Sequence, residues 1–248
     1  MSFCGTVAKS RLQEKERQLI RWFIGYDKAA PVMAHTLAHT LQQKSSMPIS
    51  FCFINRDNLK GIFTRKRGDL ESTDFSFSRF LVPYLCGYKG WAVFSDNDMI
   101  VTEDPAKLWA RRDDDYAVMV AKKDHQPQGD VKFLGQTQTR YEKKNWSAVM
   151  LMDCSKCTAL TPEAVNKESG MYLHQFKWLE GDQLIGDLPQ GWNFLVDYDN
   201  PKETSTELLH YTEGAPCLPG YEDTVFKDEW HKAKKDMNHS PLEVANEP

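Results

Sequence analysis

Two carboxylates separated by one residue, Asp96 and Asp98, follow the apolar run Trp91-Ala92-Val93-Phe94 and precede Met99-Ile100-Val101. In extended chain, residues i and i+2 face the same side, so both acids can aim at one point. Two hard oxygen donors converging there suit a divalent cation such as Mg2+ or Mn2+, and a cation so held suits a diphosphate. The plainer reading is that strands often end in Asp and Asn because turns favour them.

The elements that must deliver these acids can be read from periodicity. Trp22-Phe23-Ile24-Gly25 reads as a buried strand closed by Tyr26-Asp27. Pro31 suits a helix's first turn, and Val32, Ala34, Leu37, Ala38 and Leu41 carry an apolar stripe to about residue 44. Residues 49–54 are β-rich and end at Asn55-Arg56-Asp57. Strand, helix, strand in this order predicts a βαβ unit and a largely parallel sheet. Open sheets of this kind bind ligands outside the carboxyl ends of their strands, where Asp96 and Asp98 fall.

Further along, residues 75–85 read as a buried helix kinked at Pro83, and 105–112 as a helix. Residues 116–120 and 146–152 read as strands, 162–178 as helix interrupted near Gly170, and 188–193 and 208–211 as late strands with rigid turns. Arg65-Lys66-Arg67 reads as a solvated loop, and the polar stretch 123–144 as a long functional loop. Beyond Tyr221 the sequence is charged and loses periodicity, as a tail does.

Composition narrows the class. The 248 residues carry a formal net charge of −4, which argues against a general nucleic-acid binder. Hydrophobic residues at 41% suffice for one core, and no apolar stretch approaches the roughly 20 residues that span a bilayer. Residues 1–19 lack the apolar core of a secretory signal, so a cytoplasmic location is expected. The six cysteines then read as reduced thiols, with Cys52 and Cys86 in apolar surroundings. Cys154 and Cys157 have zinc-ligand spacing but no second pair. No G-x-G-x-x-G or Walker A sequence is present, which disfavours a dinucleotide dehydrogenase or a P-loop enzyme.

Several motifs together resemble glycosyltransferase family 8 and its bacterial relatives. They run in the family's order: Ile24-Gly25-Tyr26-Asp27, the segment from Phe77 to Pro83, Asp96-Asn97-Asp98, the segment from Asn145 to Met152, Gly181-Asp182-Gln183, Leu188-Pro189 with Trp192-Asn193, and His210 with Gly214. The resemblance covers roughly residues 20–222 and implies a GT-A fold, an α/β single domain whose mostly parallel central sheet is flanked by helices. Residues 1–19 then form a polar N-terminal extension and 223–248 a charged tail. The implied activity is metal-dependent transfer of a hexose from a UDP-sugar to an acceptor hydroxyl, with retention at the anomeric carbon.

The same resemblance implies roles. Asp96, Asp98 and His210 would hold Mn2+ or Mg2+, with Asp96 and Asn97 also beside the nucleotide. Gly25, Tyr26 and Asp27 would meet uracil and ribose, and Gly214 would also take part in binding the donor. Arg79 would lie near donor sugar and phosphates; a guanidinium in an otherwise apolar segment needs an anion, and a structural salt bridge would supply one equally. Asp182 would bind donor-sugar hydroxyls, with Gln183 beneath the anomeric carbon. One departure stands out: the family follows its late His with a Lys-Pro-Trp, whereas residues 211–217 contain no Lys. The chain thus looks like a divergent subgroup in which Arg79, backbone groups or a base such as Lys122 must help neutralise phosphate. The partners implied are a nucleotide-sugar donor and a saccharide or other hydroxyl-bearing acceptor. Two rival readings use the same residues: a domain that binds nucleotide-sugar or glycan without turnover, and a metal-dependent nucleotidyl or phosphoryl transferase.

Overall fold

The computed structural model describes residues 19–68, 71–124, 131–132, 136–137 and 142–239. Apart from Leu19, the expected N-terminal extension lies outside the described residues, as does most of the polar loop expected over 123–144. Strand β1 (Ile20–Tyr26) is buried along nearly its whole length, as a continuous apolar run in a sheet covered on both faces must be. Helix α1 (Pro31–Lys44) starts on its proline and buries Met33, Ala34, Leu37 and Leu41. Strand β2 (Ile49–Asn55) returns parallel to β1, with Ile20 opposite Ile49 and Tyr26 opposite Asn55. Because β2 is the outermost strand, Cys52 is exposed, not set in apolar surroundings as its sequence neighbours suggest.

The main sheet has six strands in the order β2-β1-β3-β8-β5-β9. Its other members are β3 (Trp91–Ser95), β5 (Val118–Val120), β8 (Val149–Asp153) and, at the far edge, β9 (Ile185–Asp187). The β1–β2, β1–β3 and β5–β9 pairs are parallel; β8 runs antiparallel between β3 and β5. The start of β8 therefore lies at the edge where the parallel strands end. Alternation on β3 divides the core. Ala92 and Phe94 pack with Phe75, Phe80, Met150 and Phe176 on one face, and Val93 packs with Trp22, Ile24, Leu37 and Leu151 on the other. The fold is thus α/β with a mostly parallel central sheet, as expected.

A second sheet has the order β10-β11-β4, from β4 (Met99–Val101), β10 (Phe194–Leu195) and β11 (Leu208–His210). A short hairpin, β6 (Val131–Lys132) and β7 (Gln136–Thr137), stands apart. The remaining helices are α2 (Val82–Leu85), α3 (Pro105–Trp109), α4 (Pro162–Lys167), α5 (Gly170–His174) and α6 (Lys227–Met237). The break expected near Gly170 is present: Ser169 accepts the Tyr172 N–H and starts a new helix.

Four further readings of the sequence need correction. Residues 75–85 are not one kinked helix; a 3-10 turn, Ser78–Leu81, leads into α2, whose first turn contains Pro83. A proline there begins a helix without losing a hydrogen bond. Residues 190–193 form a 3-10 turn, with the strand following at Phe194. Arg65 is not a solvated loop residue: Nη1 donates to the carbonyls of Val165 and Glu168, and its guanidinium lies 3.7 Å from the Phe77 ring centre. Finally, the sequence past Tyr221 is not aperiodic: α6 folds there, burying Trp230 and Ala233 in a cluster with Ala30 and Met33. Among the described residues, no helix is long and apolar enough to cross a membrane.

Candidate active site

Strand register assembles the site. Ile24 on β1 lies opposite Ser95 on β3, so Gly25–Asp27 and Asp96–Asp98 leave adjacent parallel strands at one edge. On the second sheet, His210 pairs with Met99, the residue after Asp98. The Tyr211 N–H donates to the Asp98 carbonyl at 2.9 Å, locking the turn against β11. Asp96, Asp98 and His210 consequently offer one donor atom each within 4.8 Å of one another. His210 Nε2 stands 3.4 Å from Asp98 Oδ1. Two carboxylates and an imidazole, largely shielded from water, form a donor set that fits Mn2+ or Mg2+.

The His210 ring is held from behind. Its Nδ1 lies 2.8 Å from Asn193 Oδ1, and the Asn193 amide donates to the Asn145 carbonyl at 2.9 Å. Asn193 is fully buried and sits two residues before Leu195, which pairs with His210 across β10 and β11. Asn97, between the two acids, is 2% exposed, and its Nδ2 has no partner among the described residues. A buried amide donor costs free energy when left unmatched, so an acceptor belongs in this pocket.

Arg79 meets Asp96 directly: Nη1 stands 2.7 Å from Asp96 Oδ1 and donates to the Ser147 carbonyl at 2.9 Å, while Nε donates to the Ser76 carbonyl. Phe75 and Phe94 flank the guanidinium at 5.2 and 5.1 Å. The anion required by a buried guanidinium is thus supplied by the protein itself.

Residues 143–148, which precede β8, contact Arg79, Asp96, His174, Asp182 and Asn193. Lys143 Nζ pairs with Asp182 Oδ1 at 2.5 Å and donates to the Gln175 carbonyl. The carbonyls of Asn145 and Ser147 accept from Asn193 and Arg79, and the Ala148 carbonyl accepts from the Asp96 N–H at 2.9 Å. Ser147 Oγ meets His174 Nδ1 at 2.8 Å. Burial, reinforced by the positive charge of Arg79, pushes the His174 pKa down to about 3, so its ring is neutral. Lys143 and Asn145 both occupy the left-handed backbone region, with φ of 62° and 65°. Such strain persists only where surrounding contacts hold it, and it gathers at functional sites.

The other expected residues fall as follows. Gly25 packs beneath Phe75 so closely that a Cβ would lie 2.4 Å from the ring. The Tyr26 ring contacts His35 and Phe53 edge-on. Asp27 is buried; Oδ1 accepts from Ala29 and Oδ2 from the Asp74 N–H, which joins the β1 turn to the loop before Phe75. Gly214 lies under Tyr221. Asp182 and Gln183 are exposed, and Asp182 lines a cleft of about 380 Å3 with Lys143, Gln175, Phe176, Lys177 and Leu179. Lys122 pairs with Asp187 at 3.2 Å. The five described cysteines are free thiols, with Cys154 and Cys157 buried.

No family model matches the chain. Protein CDI of Arabidopsis thaliana is 39% identical over 231 residues, covering 90% of this chain and 89% of its own length. Among solved structures, the glycosyltransferase GlyE of Streptococcus pneumoniae TIGR4 matches with a TM-score of 0.59 at 14% identity, over 88% of this chain and 60% of that one. The galactosyltransferase LgtC, solved with donor and acceptor sugar analogues, matches with a TM-score of 0.53 at 12% identity, over 91% and 99%. The bifunctional glycosyltransferase WbbM matches at 0.58 and 11%, over 92% and 51%. The chain thus spans about three fifths or less of GlyE and WbbM. At these identities the structural likeness establishes the fold, that of the GT-A-type enzymes.

Proposed function

Because the chain belongs to the family of Arabidopsis thaliana Protein CDI and folds as GT-A-type glycosyltransferases do, we propose that it is a metal-dependent, retaining glycosyltransferase. Its donor is a UDP-sugar, from which a hexose passes to a hydroxyl of a saccharide or similar acceptor. The observation that carries this reading is the meeting of Asp96, Asp98 and His210 at the carboxyl edge of the parallel strands. Resemblance of motif order to glycosyltransferase family 8 supports the retaining assignment, and free buried thiols fit a cytoplasmic enzyme.

Asp96, Asp98 and His210 would hold Mn2+ or Mg2+. Bound there, the ion would act as a Lewis acid that neutralises the departing diphosphate. Around it, Arg79 fixes the Asp96 carboxylate and adds positive charge behind it. Gly25, Tyr26, Asp27 and Asn97 would meet the nucleotide, Gly214 would also help to bind the donor, Asp182 would bind the sugar hydroxyls, and Gln183 would lie beneath the anomeric carbon. Acceleration comes from positioning and from charges already oriented before the bond breaks. In same-face transfer, a leaving phosphate oxygen takes the acceptor proton, so no separate general base is required.

The test is calorimetric titration of UDP into the protein with Mn2+, with EDTA, and with Asp98→Asn. Micromolar binding that needs both Mn2+ and Asp98 supports the reading; binding indifferent to both sinks it. A binding domain without turnover is the second reading, favoured by the absence of a Lys in 211–217. UDP binding without release of sugar from any UDP-hexose would select it.

A further inference from the structure

We propose that Asn193 is a positioning residue that sets the tautomer of His210, presenting a bare Nε2 toward Asp98. The inference rests on the metal reading above and adds to it a residue to which no role was assigned by motif or composition.

The direction of each hydrogen bond follows from chemistry. The Asn145 carbonyl can only accept, so the group facing it from Asn193 is the amide nitrogen, Nδ2, at 2.9 Å. That fixes Asn193 Oδ1 toward His210 Nδ1 at 2.8 Å. An amide oxygen can only accept, so Nδ1 carries the proton. In the uncharged ring Nε2 is then a lone pair, and it points at Asp98 Oδ1 from 3.4 Å. A lone pair facing a carboxylate is repulsive unless a cation lies between them. Reversing the amide would oppose two oxygens at Asn145 and protonate Nε2, which would spoil the same position for a metal. A ligating histidine generally donates its other N–H to such an acceptor, which fixes ring and tautomer together.

The relay is rigid. Asn193 is fully buried and His210 is 2% exposed, so water competes poorly at either bond. Asn145 turns its carbonyl inward by adopting φ of 65°, a conformation that asparagine tolerates better than most residues. The β10–β11 register holds Asn193 and His210 at constant separation.

The experiment uses full-length protein labelled with 15N-histidine, its His210 signals identified by loss in His210→Gln. Long-range 1H–15N correlation in metal-free protein at high pH should show the Nδ1–H tautomer for His210. Asn193→Leu should mix the tautomers and weaken Mn2+ binding, measured by electron paramagnetic resonance of free Mn2+, by roughly 10- to 100-fold. Asn193→Asp keeps an acceptor for Nδ1–H and should keep the tautomer. An Nε2–H tautomer in the wild type overturns the proposal without any variant having to fold. So does Mn2+ affinity in Asn193→Leu within twofold of wild type. If wild-type protein shows the Nδ1–H tautomer yet binds no Mn2+, the metal reading falls, and with it the purpose given to Asn193.

Discussion

The guanidinium of Arg79 and the carboxylate of Asp96 stand 2.7 Å apart, with side chains only 7% and 16% exposed. A pair so shielded keeps most of its attraction, and the second Arg79 bond to the Ser147 carbonyl fixes its direction. Arg79 thereby decides where one of the two strand-end acids points.

Removing Arg79 leaves the Asp96 carboxylate shielded from water without its cation. Arg79→Ala should destabilise the fold by about 3 kcal/mol, read from urea unfolding. Arg79→Lys keeps the charge but not the planar fork, so stability should largely return while Mn2+ affinity stays below wild type. Wild-type Mn2+ affinity in Arg79→Lys would mean that the pair serves folding alone.

Gly25 separates packing from ligand contact. Gly25→Ala puts a methyl group 2.4 Å from the Phe75 ring, and overpacking of this kind costs about 1–3 kcal/mol. A second change, Phe75→Leu, should restore part of the lost stability. An unchanged melting temperature in Gly25→Ala would show that Phe75 yields freely, leaving the nucleotide as the reason for a glycine here.

His174 gives the protein an acid-sensitive, partly buried ring. Its folded pKa of about 3 lies below the ordinary 6.5, so the unfolded chain binds the proton first. The stability that neutral His174 allows is therefore complete above pH 6.5 and is lost as pH falls toward 3, at up to about 1.4 kcal/mol per unit. His174→Gln, which can still bond Ser147, should flatten this slope in denaturant midpoints between pH 6.5 and 4. Identical slopes in the two proteins would rule the ring out as the cause.

Strong periodicity made the first βαβ unit legible: the apolar runs of β1 and β2 and the stripe of α1 each fit one pattern only. The acid pair was legible because its spacing and its strand-end position reinforce each other. Motif order added His210, which the β4–β11 pairing brings beside Asp98. Asn193 was visible as a residue but not as a partner, since nothing in local sequence announces a hydrogen bond spanning 17 positions. Arg79 needed an anion, and sequence could not tell a bound phosphate from Asp96. Helix α6 was missed although Phe226, Trp230, Ala233 and Met237 stand at helical spacing, because the charged residues between them dominate the composition. Its apolar face docks on the α1 side of the core, and that packing supplies most of what holds so polar a helix.

The lodging of Trp230 beside Ala30 and Met33 has a consequence for how the molecule is made. A nascent chain displays α1 long before α6 has been synthesised, and this part of the α1 surface stays uncovered until Trp230 has been made. Domains commonly begin folding from their N-termini during synthesis. Here α6 closes over α1, so a ribosome stalled short of Lys227 would carry a chain with an open apolar seam, a natural target for chaperones.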